Sequence, residues 1–217
     1  LTRITSYAQL TYETNQTDAE TGKFYQTLQE RVNDIFTKLL FFALEINRLD
    51  DATLAAKLSD PSLQRYAPWV RNVRVYRPHD LSDELERILH EKQVSGRAAW
   101  SRLFDETMAG LRFPLDGKEL TSAEIFHLLS ERDPEVRKSA AKAIGGVLGA
   151  NVKLFALITN TLAKDKQIED RWRKYARPIS SRNLGNLVED EVVDALIKAV
   201  RDAFPRLSHR YYKMKAR

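Results

Sequence analysis

With 217 residues, no cysteine, 30% charged side chains and a net charge of +5, the chain can bury one large core or two small ones and has the composition of a helix-rich globular protein. The missing thiols exclude disulfides, thiolate zinc sites and a cysteine nucleophile, which fits a reducing, cytoplasmic setting. The mild balance of 35 basic against 30 acidic residues lacks the one-sided excess of most nucleic-acid domains, and the longest apolar run, residues 39–44 between Lys38 and Glu45, is too short to span a membrane.

In chain order, Ile4, Tyr7, Ala8 and Leu10 predict a first helix. The stretch that organises the rest is 17–49. Phe24, Leu28, Val32, Ile35, Leu39, Phe42, Ile46 and Leu49 recur by threes and fours, which keeps them on one helical face. Thr17 followed by Glu20 predicts a capping box at its start. A second row, Tyr25, Phe36, Leu40, Phe41 and Leu44, widens the stripe, so several elements are expected to pack around this helix.

Asp50 or Asp51 can cap a short helix with Leu54 and Leu58, and Asp60-Pro61 reads as another helix start. Pro68 breaks that helix into two pieces, residues 61–66 and 67–76. After the connector Pro78-His79-Asp80, Ser82 opens a helix with Leu85, Ile88 and Leu89 inward, closed by Ser95-Gly96. Trp100, Leu103, Phe104 and Met108 mark the next helix, ended by Gly110.

The one strand signal runs from Phe113 to Leu120, where Asp116-Gly117 favours a tight hairpin, expected to be an appendage on helices. Thr121 and Glu124 form a second capping box. Asp133-Pro134 starts a long helix with Val136, Ala140, Ile144, Val147, Phe155, Ile158 and Leu162 inward. Gly145, Gly146 and Gly149 inside it predict close helix approach, with a bend as the alternative. Past Pro178, a helix over 187–204 places Val188, Val192, Leu196, Ala199, Val200 and Ala203 inward. A last helix from Pro205 carries Leu207, Tyr211 and Met214. Leu1 in place of an initiator methionine, and a helical pattern still running at 211–217, lead us to expect a segment of a longer polypeptide.

Sequence motifs for chemistry are few. His90-Glu91 begins like a zinc helix motif, but Val94 stands where the second histidine is needed four residues on. His79, His127 and His209 share no ligand spacing. No phosphate loop and no Gly-x-Ser-x-Gly element occurs. Basic and aromatic residues interleave at Arg65, Tyr66, Trp69, Arg71, Arg74, Tyr76 and Arg77, at Arg171, Trp172, Arg173, Lys174, Tyr175 and Arg177, and at 209–217. Such stretches bind nucleic-acid backbones, seal helix junctions or face peptide carboxylates. Asp165, Glu169 and Asp170 lie among the second set and would repel phosphate, so the sealing role carries more weight.

Four pieces occur in order: Phe41-Phe42-Ala43-Leu44-Glu45-Ile46-Asn47-Arg48-Leu49, Pro78-His79-Asp80-Leu81-Ser82, Trp100-Ser101-Arg102-Leu103-Phe104, and Pro205-Arg206-Leu207-Ser208-His209-Arg210-Tyr211-Tyr212-Lys213-Met214-Lys215-Ala216. Together they resemble the N-terminal, non-catalytic portion of the oligoendopeptidase F family of zinc metallopeptidases, relatives of thimet oligopeptidase. The resemblance implies an almost entirely helical lobe over 1–217, and with the hairpin read at 113–120 the expected fold is all-α, an irregular multi-helix bundle with one short β-hairpin and a possible division at 110/111. It implies a full-length enzyme that hydrolyses short peptides in a channel this lobe restricts. The zinc would be held by His-Glu-x-x-His and a further glutamate in a downstream catalytic domain.

No catalytic or metal residue is thereby carried onto this chain. No zinc in this part, no nucleic-acid partner and no membrane partner are expected. Substrate-binding residues and oligomeric state stay open. The alternative is a helical nucleic-acid or protein binding module that uses the basic–aromatic surfaces.

Overall fold

The computed structural model describes residues 1–216; the last residue of the 209–217 stretch lies outside the described set. The fold is all-α with one two-stranded antiparallel hairpin. In order come α1 (Thr2–Thr14), α2 (Ala19–Arg48), α3 (Asp51–Leu58), a 3₁₀ turn (Gln64–Tyr66), α4 (Ala67–Arg74), a second 3₁₀ turn (Arg77–His79), α5 (Asp83–Lys92) and α6 (Arg97–Gly110). Then come β1 (Phe113–Leu115), β2 (Lys118–Leu120), α7 (Ser122–His127), a third 3₁₀ turn (Leu128–Ser130), α8 (Pro134–Ala150), α9 (Val152–Trp172), α10 (Ser180–Gly185), α11 (Asp190–Ala203) and α12 (Ser208–Lys215).

These elements sort into two compact units, each assembled from two separated stretches. The first is Leu1–Phe41 with Ser82–Lys166, the second Phe42–Leu81 with Gln167–Arg217.

In the first unit the best-packed point is the hairpin. Phe113, Ile125 and Ala140 are each 0% exposed, and Leu111, Leu115, Leu120, Leu128, Ala143, Ile144 and Val147 close around them. The expected appendage is therefore a core element: β1 lies against α8, and its first side chain fills the space between α7 and α8. Asp116 (φ 51°) and Gly117 (φ 74°) both take the left-handed conformation that a two-residue hairpin turn requires, with Phe113 opposite Leu120. Thr121 and Glu124 make both bonds of the predicted capping box on α7. Around α2, Ala8 and Tyr12 are buried, and Tyr12 stacks on Tyr25 at 4.8 Å. Phe104 meets Phe155 edge-on at 5.7 Å, tying α6 to α9.

In the second unit, Leu44, Asn47, Val70 and Asn183 are buried, and Phe42 stacks on Trp69 at 5.9 Å. Pro68 sits in the first turn of α4, where its missing N–H costs nothing. Asp50 caps α3 through the Thr53 N–H at 2.8 Å, and in the first unit Ser82 caps α5 through the Leu85 N–H at 3.4 Å.

Several expectations change. Asp18, not Thr17, caps α2, because its carboxylate accepts from the Thr21 N–H at 2.8 Å while the Thr17 hydroxyl turns to Asn15. Asp60 bonds Ser62 in a tight turn instead of starting a helix at Pro61. The long helix after Pro134 is two helices bent by 65° around Asn151. Close approach does not explain its glycines, since a Cβ built on Gly145, Gly146 or Gly149 meets nothing within 4 Å.

Leu85 and Ile88 on α5, and Val192, Leu196, Ala199 and Val200 on α11, were expected inward and are exposed. Periodicity identified an apolar face correctly in each case, but no described residue covers it. On α2 the more enclosed side is Tyr25, Leu28, Val32, Leu40 and Leu44, whereas Phe24, Ile35, Leu39 and Phe42 stay exposed.

Candidate functional site

The four histidines stand apart, and each has its own local use. The His79 ring stacks on Tyr175 at 3.9 Å and its Nδ1 bonds the Arg173 carbonyl at 2.7 Å. His90 Nδ1 lies 2.8 Å from the Thr37 hydroxyl. His127 sits on an exposed helix end 3.8 Å from Glu131, and His209 lies beside Phe204. Nowhere among the described residues do three imidazole or carboxylate groups converge on one point. The described residues therefore offer no ligand set that fits the zinc the resemblance implies.

The basic–aromatic stretches of the second unit resolve largely into structural contacts. Arg74, mostly enclosed, donates Nη1 to the carbonyls of Ile46 and Leu49, both at 2.8 Å, and pairs with Asp51. It thereby satisfies carbonyls that the end of α2 leaves without intrahelical partners. Arg173 Nε donates to Glu169 at 2.7 Å and its Nη1 to the His79 carbonyl at 3.3 Å. Arg177 grips Asp194 with two bonds of 2.8 Å, which holds the Asp194 carboxyl below the usual range. Asp190 is lowered mainly by the Ser180 hydroxyl, then by Asn183. Arg65 lies over its neighbour Tyr66 at 4.7 Å. Arg71, Arg171 and Lys174 remain as exposed cations.

Two clefts of the first unit bear on function. One, of about 570 Å³, opens beside the start of α2, where Asp18, Lys23, Glu30, Arg102 and Glu106 give it a lining of both charges. Behind it, burial pushes the Tyr12 hydroxyl up to about 12, helped by Glu106, to which it donates at 3.4 Å. Burial likewise raises Tyr25, and it raises Asp105 together with Glu13 and Glu106.

The other cleft, of about 360 Å³, lies between α1, the middle of α2 and residues 90–98. Gln9, Gln29, Asn33, Gln93 and His90 line it above a floor that includes Tyr25, Val32 and Phe36. Sequence reasoning singled out His90 there but missed the carboxamides. Their signal was present: Gln29 and Asn33 fall inside the apolar stripe of α2, where a solvated residue would be out of place.

Comparison with known proteins bears on the whole chain. A family model described as Oligopeptidase F matches residues 45–113. Among curated relatives, the oligopeptidase PepF of Bacillus subtilis (strain 168) is 27% identical over 219 residues, covering 94% of this chain and 32% of that protein. The group B oligopeptidase PepB of Streptococcus agalactiae is 26% identical over 93% of this chain and 35% of its own length. The oligoendopeptidase F homolog of Borreliella burgdorferi is 22% identical over 97% of this chain and 36% of its own.

The chain matches the N-terminal portion of the oligoendopeptidase F family. Its fold superposes on the crystal structure of oligoendopeptidase-F from Enterococcus faecium with a TM-score of 0.85 and 23% identity, over 98% of this chain and 43% of that one. A putative peptidase from Chlamydophila abortus gives a TM-score of 0.70 at 19% identity, over 97% and 36% respectively. The chain therefore spans about a third of the length of the curated oligopeptidases it matches. The matched block, 45–113, contains Asn47, Arg74, His79 and Asp80, the residues that knit the second unit, and not a candidate nucleophile or metal cluster.

Proposed function

We propose that this chain is the N-terminal helical lobe of a zinc-dependent, cytoplasmic peptidase of the oligoendopeptidase F type. The full enzyme hydrolyses short peptides, and the zinc and the groups that activate its water lie in a downstream catalytic domain. This lobe does not cut peptides alone. It shapes and restricts the channel by which they reach the catalytic centre.

The observation that carries the reading is the pattern of coverage: more than nine-tenths of this chain aligns with oligopeptidases of which it accounts for only about a third. Surface area supports it. The chain exposes 16005 Å², against about 12,000 Å² for two separate globules of the same combined mass. Apolar side chains contribute to that exposed surface, as on α11, where Val192 (54%), Leu196 (63%) and Val200 (46%) face outward. The alternative of a nucleic-acid module is weakened by Arg74, Arg173 and Arg177, whose charges are engaged by carboxylates of the same unit.

The decisive test is the coding sequence beyond codon 217. A His-Glu-x-x-His on a downstream helix, with peptidase activity in the longer product and none in the 217-residue chain, is the expected result. A reading frame without that motif overturns the proposal.

A further inference from the structure

The smaller cleft of the first unit has a lining unlike the rest of the molecule. None of its twelve lining side chains is Asp, Glu, Lys or Arg, in a chain where those make up 30% of residues. Four of the twelve are carboxamides, whereas Asn and Gln together number only fifteen in the 217-residue sequence. The side-chain amides of Gln9, Asn33 and Gln93 have no hydrogen-bond partner among the described residues. Such groups, gathered around Phe36 and Val32, offer donors and acceptors without charge beside an apolar floor.

We propose that this cleft binds a short, uncharged segment of extended peptide, whose backbone amides pair with Gln29, Asn33 and Gln93 while one apolar side chain rests on Phe36. Each carboxamide carries two N–H donors and a carbonyl acceptor, the same groups a peptide backbone presents, so both partners satisfy each other. Spacing favours a peptide over an isolated base or sugar. Gln29 and Asn33 stand one helical turn apart, a rise of about 6 Å, close to the roughly 6.6 Å between peptide groups that face the same way in an extended chain.

His90 adds a fixed acceptor. Thr37 donates its single hydroxyl proton to the Asn33 carbonyl at 2.9 Å and so accepts from the His90 Nδ1–H, which assigns the neutral ring's lone pair to Nε2. No side chain of the lining is ionic, so a charged ligand finds no ion-pair partner among the groups that touch it, while an uncharged peptide is matched bond for bond. The cleft contains no group arranged to cut a peptide bond, and its role is to hold one.

The test is calorimetric titration of the 217-residue chain with three blocked tetrapeptides, acetylated and amidated: tetra-alanine, tetra-glutamate and tetra-lysine. Tetra-alanine is expected to saturate a single site, with the charged peptides binding at least about tenfold more weakly. Asn33→Leu should weaken tetra-alanine by about tenfold with an unchanged helical circular-dichroism spectrum. Gln9→Ala, on the exposed side of α1, serves as a second variant that leaves packing alone and is expected to weaken it less. Equal affinity for all three peptides, tighter binding of adenosine, absence of saturation or indifference to both substitutions overturns the proposal. The cleft needs no catalytic partner, so a failed titration leaves the lobe reading standing, and a missing zinc motif downstream leaves this one standing.

Discussion

Arg74 is the residue on which the second unit most visibly depends, and Arg74→Met isolates why. Methionine preserves most of the aliphatic length but removes both the donors and the charge. Two carbonyls at the end of α2, that of Ile46 in its last turn and that of Leu49 just past it, each lose a 2.8 Å bond from a guanidinium whose side chain is only 13% exposed. Hydrogen bonds to charged groups contribute about 1.5–3 kcal/mol each, and partial access of water to the freed carbonyls recovers some of that. The expected loss is about 2–4 kcal/mol.

The ion pair should matter far less. Asp51 is 86% exposed, so Asp51→Ala should cost no more than about 1 kcal/mol. Urea unfolding followed by circular dichroism gives both numbers, and hydrogen exchange should show faster opening at the end of α2 and in α3 of the Arg74→Met protein. If Arg74→Met loses less than about 0.5 kcal/mol, or no more than Asp51→Ala, the carbonyl-capping account is wrong.

Phe113→Ala empties the fully enclosed centre of the first unit and should cost about 3–5 kcal/mol in the same unfolding assay. Gly145→Ala and Gly146→Ala, whose added methyl meets nothing within 4 Å, should each stabilise by about 0.5–1 kcal/mol; destabilisation would mean that a neighbour approaches α8 after all. Leu196→Lys on α11 replaces a side chain that is 63% exposed, so in this chain the melting temperature should hardly move, and a clear drop would show that the face is covered. Tyr12 should ionise near 12, pushed up by its burial and by Glu106, when absorbance at high pH is followed. The folded form then holds its proton longer than the unfolded form, so this residue's contribution to stability is complete below about 10 and disappears as pH rises through about 12; Tyr12→Phe should flatten that fall.

Local chemistry in the sequence was read well where it is self-contained. The Thr121–Glu124 box, the Asp116-Gly117 turn, the Asp50 and Ser82 caps and the start of α4 at Pro68 each depend on residues a few positions apart. Asn151 stands where the apolar stripe between Val147 and Phe155 needs a further apolar residue, and the 65° bend falls there, just beyond the three glycines for which a bend was the alternative reading. Two local readings failed because a neighbour competed for the bond, Asp18 against Thr17 at the start of α2 and Ser62 for Asp60, and the other failures depended on distant partners. Periodicity marked the faces of α5 and α11 but is silent on what covers them. The role of Arg74 required knowing that a carbonyl 28 residues earlier comes within reach. At the candidate site, His90 was visible as an isolated motif fragment and Gln29 and Asn33 as an i, i+4 pair in the α2 stripe, while Gln9 and Gln93 come from α1 and the 90–98 segment and share no spacing with them.

The way the chain is divided also sets an order of assembly during synthesis. Residues 42–81 interrupt the first unit, which therefore cannot close until residues as far as Lys166 have been made, and they in turn wait for the stretch that starts at Gln167. No single proteolytic cut can release either unit whole. Nascent chains halted before residue 167 should carry a finished first unit beside an unsatisfied loop of α3 and α4, a species that chaperones would be expected to hold.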